Sequence, residues 1–235
     1  MTPSEELKDI VSSGIALDLF DAEEVMALDE IVGRNADAIN EASYGQFFGS
    51  LQRYINRVLI LSVARIFESN NRHKIRSIPA ALKLMRENSE DLKIPERPTL
   101  IKEMVNLGYT EDALDKMTEK ALTELVINHF EEVIPKAEEE SEIELESALY
   151  ALKTIRNKNV AHHEAVEWNN LPKPTYSQLR ELIEIAKDFV SVVGLPYLST
   201  VYRCDRGDYL LSSDAGKTAR CMGRMLKKLG VIKDD

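Results

Sequence analysis

Between Tyr44 and Phe67 the chain reads YGQFFGSLQRYINRVLILSVARIF, and Phe47, Phe48, Leu51, Tyr54, Ile55, Val58, Leu59, Leu61, Ser62 and Ile66 recur there at helical spacing. Residues three and four apart lie on one side of a helix, so this run carries a single, very broad apolar face. A face so broad belongs to a helix with others packed around it, and the segment is expected at the centre of a bundle. Glycine and proline, at 10 and 8 of 235 residues, are too scarce to punctuate a chain of many strands. Leu, Ile, Ala, Glu and Lys dominate at helical spacing, which predicts an all-α, up-and-down helical bundle with few or no strands.

The punctuation of the remaining helices is local. Residues 4 to 32 read as two short helical stretches, broken near Ser12 to Gly14 and again near Asp21, and ended by Gly33. Ser77 caps a helix with Pro79 in its first turn, and Pro95 and Pro98 make residues 93 to 100 a loop. Thr110 opens a helix running to Val133, and the next begins in the acidic run Glu138 to Glu144, which suits a positive helix N-terminus. "TYSQ" at 175 to 178 has the form of a capping box, and its helix is expected to end at Gly194 and Pro196. A connector over 197 to 211 then leads to a final helix from near Asp214 to Gly230. The expected organisation is a bundle over residues 1–200, with a connector and basic helix over 201–235 packed on it.

Several function classes drop out. The longest uncharged apolar run, "VLILSVA" at 58 to 64, is far short of the roughly 20 residues that cross a bilayer. The N-terminus "MTPSEELKDI" is acidic rather than a signal sequence, so the expected location is cytoplasmic, with no membrane partner. Cys204 and Cys221 stand without a CxxC or a nearby histidine and read as ordinary thiols. Successive glutamates 138 to 140 point different ways round a helix, so no metal site is expected. "AGKT" at 215 to 218 is not a phosphate loop, because position 211, where the loop needs glycine, is Leu. His73 and His129 each stand singly and read as surface or capping residues.

A net charge of −10 argues against coating nucleic acid with the whole surface, yet a local basic cleft is compatible with it. The stretch "GKTARCMGRMLKK" carries Lys217, Arg220, Arg224, Lys227 and Lys228 with no acid. Along one side of the last helix they would either grip phosphates or form a solvated face.

The sharpest anomaly is "IRNKNVAHHEAV" at 155 to 166. On an ideal helix Leu145, Leu149 and Leu152 form one stripe whose next position is Arg156, and His163 falls on the same line. A guanidinium is almost never fully buried alone, so the stripe is expected to run from core into a cleft or a subunit interface. Arginine offers phosphate a permanent planar cation, histidine moves a proton near neutral pH, and asparagine orients either of them. Those are the tools of phosphodiester cleavage without a metal or other cofactor. Spacing alone fits a salt-bridged helix end better, and a helical scaffold in which Arg156 locks a dimer by an ion pair, for instance to Glu142 or Glu144, is a further reading.

"RNKNVAH", Arg-Asn followed by four residues and His, resembles the R-x4-6-H signature of HEPN domains. "RVLILSVARIFESNNRHKIRSIPAALKLM" at 57 to 85 is similar to the AbiU-like, abortive-infection (phage defence) branch of that superfamily, and the likeness covers roughly residues 15 to 200. The resemblance implies a HEPN-type bundle with extra N- and C-terminal helices, and a homodimer in whose cleft RNA is cut by its own 2′-OH. It makes Arg156 the phosphate and transition-state ligand, His162 the proton-transfer group and Asn157 their support, with the toxin or antiviral defence role of such ribonucleases. His162 lies about 120° from Arg156 on an ideal helix, which keeps His163 as the alternative. Lys153 and Lys158, with Lys217, Arg220 and Arg224, are the candidate RNA-binding residues. The partners to expect are a second copy of the chain, RNA, and an antitoxin or neutralising protein. Where nucleotidyltransferase-paired HEPN toxins carry His-x-Tyr, position 164 is Glu. The competing expectations are a catalytically silent HEPN module that binds nucleotide, RNA or a protein, and a helical dimerisation scaffold.

Overall fold

A computed structural model describes residues 1–69, 74–137, 143–157, 174–204 and 208–232. These residues are helical throughout the bundle; among them the only β-type pairing is one isolated bridge between Arg203 and Tyr209. The all-α reading is correct.

The first helix, α1 (Pro3–Ile10), opens on a capping box in which Thr2 and Glu5 exchange side-chain and backbone hydrogen bonds. It does not break at Ser12 to Gly14 as expected. A wide helical turn over Val11–Ile15 leads straight into α2 (Ala16–Arg34), which also passes Asp21 without interruption. Gly14 is there for close approach: a Cβ at that position would lie 2.2 Å from the Cβ of Arg76.

After α3 (Ala36–Glu41) comes α4 (Gly45–Ile66), antiparallel to α2, with Gln52 bonded to Asp29 and Arg65 to Asp18. Phe48, Ile55, Leu59, Ser62 and Ile66 are buried, whereas Phe47 and Tyr54 are 62% and 65% exposed and Val58 is also exposed. Only half of the broad face is therefore covered. The central place belongs instead to α10 (Tyr176–Leu198), buried along most of its length and packed against α2, α4, α6, α8 and α9.

The remaining helices refine the local reading. α5 (Ile78–Glu87) begins at Ser77, whose Oγ accepts the Ala80 N–H at 3.3 Å. The loop after it is shorter than expected, because Pro98 sits in the first turn of α6 (Arg97–Asn106). The segment opened by Thr110 divides into α7 (Glu111–Asp115) and α8 (Glu119–Val133), since Thr118 caps the second helix independently. α9 spans Glu144–Ile155, and residues 138–142 ahead of it, four of them glutamates, lie outside the described residues. The capping box at Thr175 and Gln178 is present, with both reciprocal bonds.

Gly194 and Pro196 do not end α10. A Cβ at Gly194 would lie 2.4 Å from Tyr202 and 2.7 Å from the Thr200 carbonyl oxygen, so this glycine lets the following connector fold back onto the helix. Ser199 terminates it in the left-handed conformation, φ 52°. Two acids fasten that connector: Arg203 Nη1 donates to Glu103 of α6 at 3.1 Å and Nη2 to Asp188 of α10 at 2.7 Å. The last helix, α11 (Leu210–Lys228), starts earlier than expected and packs chiefly along α2.

Asp18, at the α2–α4 contact, is only 15% exposed, and burial raises its carboxyl to about pH 6 against the opposing pull of Arg65. Its folded pKa is thus above the unfolded one. Between about pH 4 and 6 the folded state keeps a proton the unfolded chain has released, so stability falls as pH rises through that window and is level above it. Asp18→Asn is expected to stabilise the protein at pH 7.5 by about 1–2 kcal/mol, less than the whole shift because the carboxyl keeps some contact with solvent. Melting at pH 4.5 and 7.5 checks this; a lower melting temperature for the variant at pH 7.5 would make the Arg65 pair the stronger influence.

Candidate functional site

Ala148, Leu149, Ala151, Leu152 and Ile155 form the buried face of α9. Arg156 continues it. Its backbone is still right-handed (φ −55°, ψ −51°), but the helical turn widens over Arg156 and Asn157. Regular α-helical geometry thus runs to Ile155.

The guanidinium is 17% exposed and is held from two sides within its own chain. Nη1 pairs with Glu68 Oε2 at 2.8 Å, while Nε and Nη2 donate together to Asn157 Oδ1 at 3.1 and 2.9 Å. Arg156 and Asn157 are thus brought together as expected. Within the chain, Glu144 starts α9 about 18 Å away along the axis and is not the acid that meets Arg156; Glu142 lies outside the described residues. Glu68 follows the end of α4, and its carbonyl oxygen accepts the Ser77 hydroxyl at 2.7 Å. One short segment thereby joins the end of α4, the start of α5 and the end of α9.

Lys153 lies one turn before Arg156 and is half-buried. Burial, and next the Arg156 charge, push its ammonium below the ordinary lysine range, with Glu68 opposing. Lys158, His162 and His163 lie outside the described residues, as does His73.

The other basic candidates are elsewhere. Lys217 pairs with Asp214 at 2.5 Å and Arg220 reaches the Ser213 carbonyl at 3.4 Å, on the helix that packs along α2. Arg224 lies on the same helix, whereas α9 packs on α4 and α10. The structure does not place these three beside Arg156. "AGKT" is part of the same helix and forms no loop. His129 is partly buried: it packs edge-on to Tyr109 and Phe130, its Nδ1 is 3.2 Å from the Tyr109 hydroxyl, and burial lowers its pKa.

Sequence reasoning missed the surroundings of Lys153. A cavity of about 500 Å³ lies between the end of α4, α5, the end of α8 and α9, with Lys83, Arg86, Lys136 and Lys153 in its wall. Phe67, Leu82, Ile134, Pro135 and Ala137 supply its apolar part. Arg86 is held by Glu131 at 2.6 Å, but Lys83, Lys136 and Lys153 have no ion-pair partner among the described residues. A second depression, of about 550 Å³, shares Ser69, Pro79 and Lys83 with the first and is lined by Glu6, Asp9, Glu68 and Glu87. Nothing in the local sequence marks these lysines as a set, since three separate segments contribute them.

Among the described residues no three His, Cys, Asp or Glu side chains group as a metal site, and no helix is long and apolar enough to cross a membrane. The profile of the HEPN_AbiU2 family, described as AbiU2, matches residues 4–215. No match was found among the curated proteins or among the solved structures.

Proposed function

We infer that this chain, which belongs to the HEPN_AbiU2 family, is a metal-independent endoribonuclease that works as a homodimer in abortive infection. The supporting observation is the state of Arg156. Its guanidinium is held rigid by Asn157 and Glu68 at the end of a buried helix face, with Lys153 one turn away. A planar cation so oriented suits two oxygens of a scissile phosphate and the charge that grows on them during attack. In this reading His162 takes the proton of the ribose 2′-OH as its oxygen attacks the adjacent phosphorus. The P–O5′ bond breaks, leaving a 2′,3′-cyclic phosphate and a 5′-hydroxyl that receives a proton. Asn157 keeps the guanidinium plane fixed, and no metal or other cofactor enters the sequence of steps.

The exposed Phe47, Tyr54 and Val58 line one side of α4, a helix in contact with α9. That side is the surface we assign to the second copy. An obligate dimer would bury more than roughly 2,000 Å² in all.

One observation favours the silent-module or scaffold reading. Glu68 already satisfies Arg156 within the chain, so the arginine needs neither substrate nor partner to be stable. Incubation of the size-fractionated protein with mixed RNA in EDTA separates the readings. Cleavage by the dimer peak, leaving cyclic-phosphate ends, is the expected result; RNA left intact by a well-folded dimer would sink the ribonuclease assignment in favour of the silent module.

A further inference from the structure

We propose that the lysine-lined cavity beside Arg156 is a subsite for one unstacked nucleotide of single-stranded RNA, adjoining the phosphate that Arg156 engages. The inference deepens the ribonuclease reading and rests on it for the identity of the strand. It assigns Lys83 and Lys136, which lie outside the Arg-x-His motif, as substrate-positioning residues, and it defines the substrate class.

The wall chemistry is divided as a nucleotide requires. The partly exposed Ile134 and Pro135, backed by the buried Phe67 and Leu82, give the wall an apolar part for a base, while Lys83, Lys136 and Lys153 enter the same wall from three segments. Beside Lys153 the charges of Arg156 and Glu68 oppose each other, so the excess positive charge lies on the lysines of the wall itself. Glu131 does not relieve them, because Arg86 occupies it at 2.6 Å. Among the described residues of this wall four side chains are basic and one acidic, a balance that suits an anion. About 500 Å³ is ample for one nucleotide and far too little for a duplex, whose base pairs would have to open to enter. Ser69, in the same wall, directly follows Glu68, which holds Arg156. The strand thus has a short path from the cavity to the guanidinium. Single-stranded RNA carrying an unpaired base beside the scissile bond is the substrate this arrangement takes; paired RNA is refused.

The test separates binding from cleavage by using a 2′-O-methyl oligonucleotide, which lacks the attacking hydroxyl, with the full-length protein in EDTA. Fluorescence anisotropy is read against salt for the wild type and for Lys83→Gln with Lys136→Gln. Both lysines are exposed, so the variant is expected to melt like the wild type. Loss of two phosphate contacts should flatten the log–log salt slope by about 1.4, raise Kd at low salt about tenfold, and raise KM with kcat nearly unchanged on cleavable RNA. An abasic residue in the oligonucleotide should weaken wild-type binding, and a duplex of the same sequence should compete poorly. If the oligonucleotide binds in this lysine-dependent way but unmodified RNA is not cut, the subsite stands and the nuclease reading fails. If RNA is cut while the double variant keeps its Kd, slope and KM, the subsite is wrong and the nuclease reading stands. A slope that responds only to Lys217→Gln, Arg220→Gln and Arg224→Gln moves the binding face to α11 and also overturns the proposal.

Discussion

Arg156→Ala is expected to lower RNA cleavage by about 10²–10⁴-fold, the range typical when a group that acts on transition-state charge or protons is removed. The variant should cost little stability. Arg156 keeps some solvent contact, and the carboxylate left behind, Glu68, is 25% exposed and regains water. Glu68→Gln provides the contrast. If Arg156 serves only to join α4 to α9, removing either partner of the ion pair has the same effect on melting and neither variant has a special effect on RNA. If Arg156 engages phosphate, Glu68→Gln frees its guanidinium and retains cleavage that Arg156→Ala abolishes. Equal activity in the two variants would refute the catalytic role. The same assay on His162→Ala and His163→Ala identifies the working histidine, since motif spacing points to the first and ideal helix phase to the second.

The largest expected effect on stability comes from Arg203→Ala. Its guanidinium bridges Glu103, 8% exposed on α6, and Asp188 on α10, and so clamps the connector that leads into α11. Without the arginine, Glu103 is a buried carboxylate with its countercharge gone, and loss of one partner from a buried pair costs about 3–5 kcal/mol. For a chain of this length that corresponds to a fall of roughly 6–20 °C in melting temperature. Combining Arg203→Met with Glu103→Gln should recover much of the loss, since the stranded charge disappears with it. A single variant that melts within two or three degrees of the wild type would show that Glu103 finds water and that the clamp is weak.

Lys153 shows how a site residue can be legible while its setting is not. Its place one turn before Arg156 followed from helical spacing, and the family motif supplied Asn157 as well. Glu68 was beyond reach: it lies 88 positions from Arg156 in the chain, and only the packing of α4 on α9 brings the two within 2.8 Å. The cavity was equally hidden, since Lys83, Lys136 and Lys153 share no period or motif.

Helix identity and the starts of α1, α5, α8 and α10 were determined by the sequence itself, because capping by Thr2, Ser77, Thr118 and Thr175 and the three-to-four spacing of apolar residues act within a few residues of each other. Proximity in space decided the rest. The side chains of α4 state which residues share a face, but not how much of that face another helix will cover; packing buried Ile55 and left Tyr54 exposed. Gly194 has the local chemistry of a helix stop, yet it serves as the gap through which Tyr202 approaches α10. Arg156 sits on the buried stripe of α9 because of its position in the chain, and it is stable there because the tertiary fold sets a carboxylate from the end of α4 against it. An ion pair between distant segments falls off with distance, and that distance is a property of how whole helices pack, which no local stretch of sequence contains.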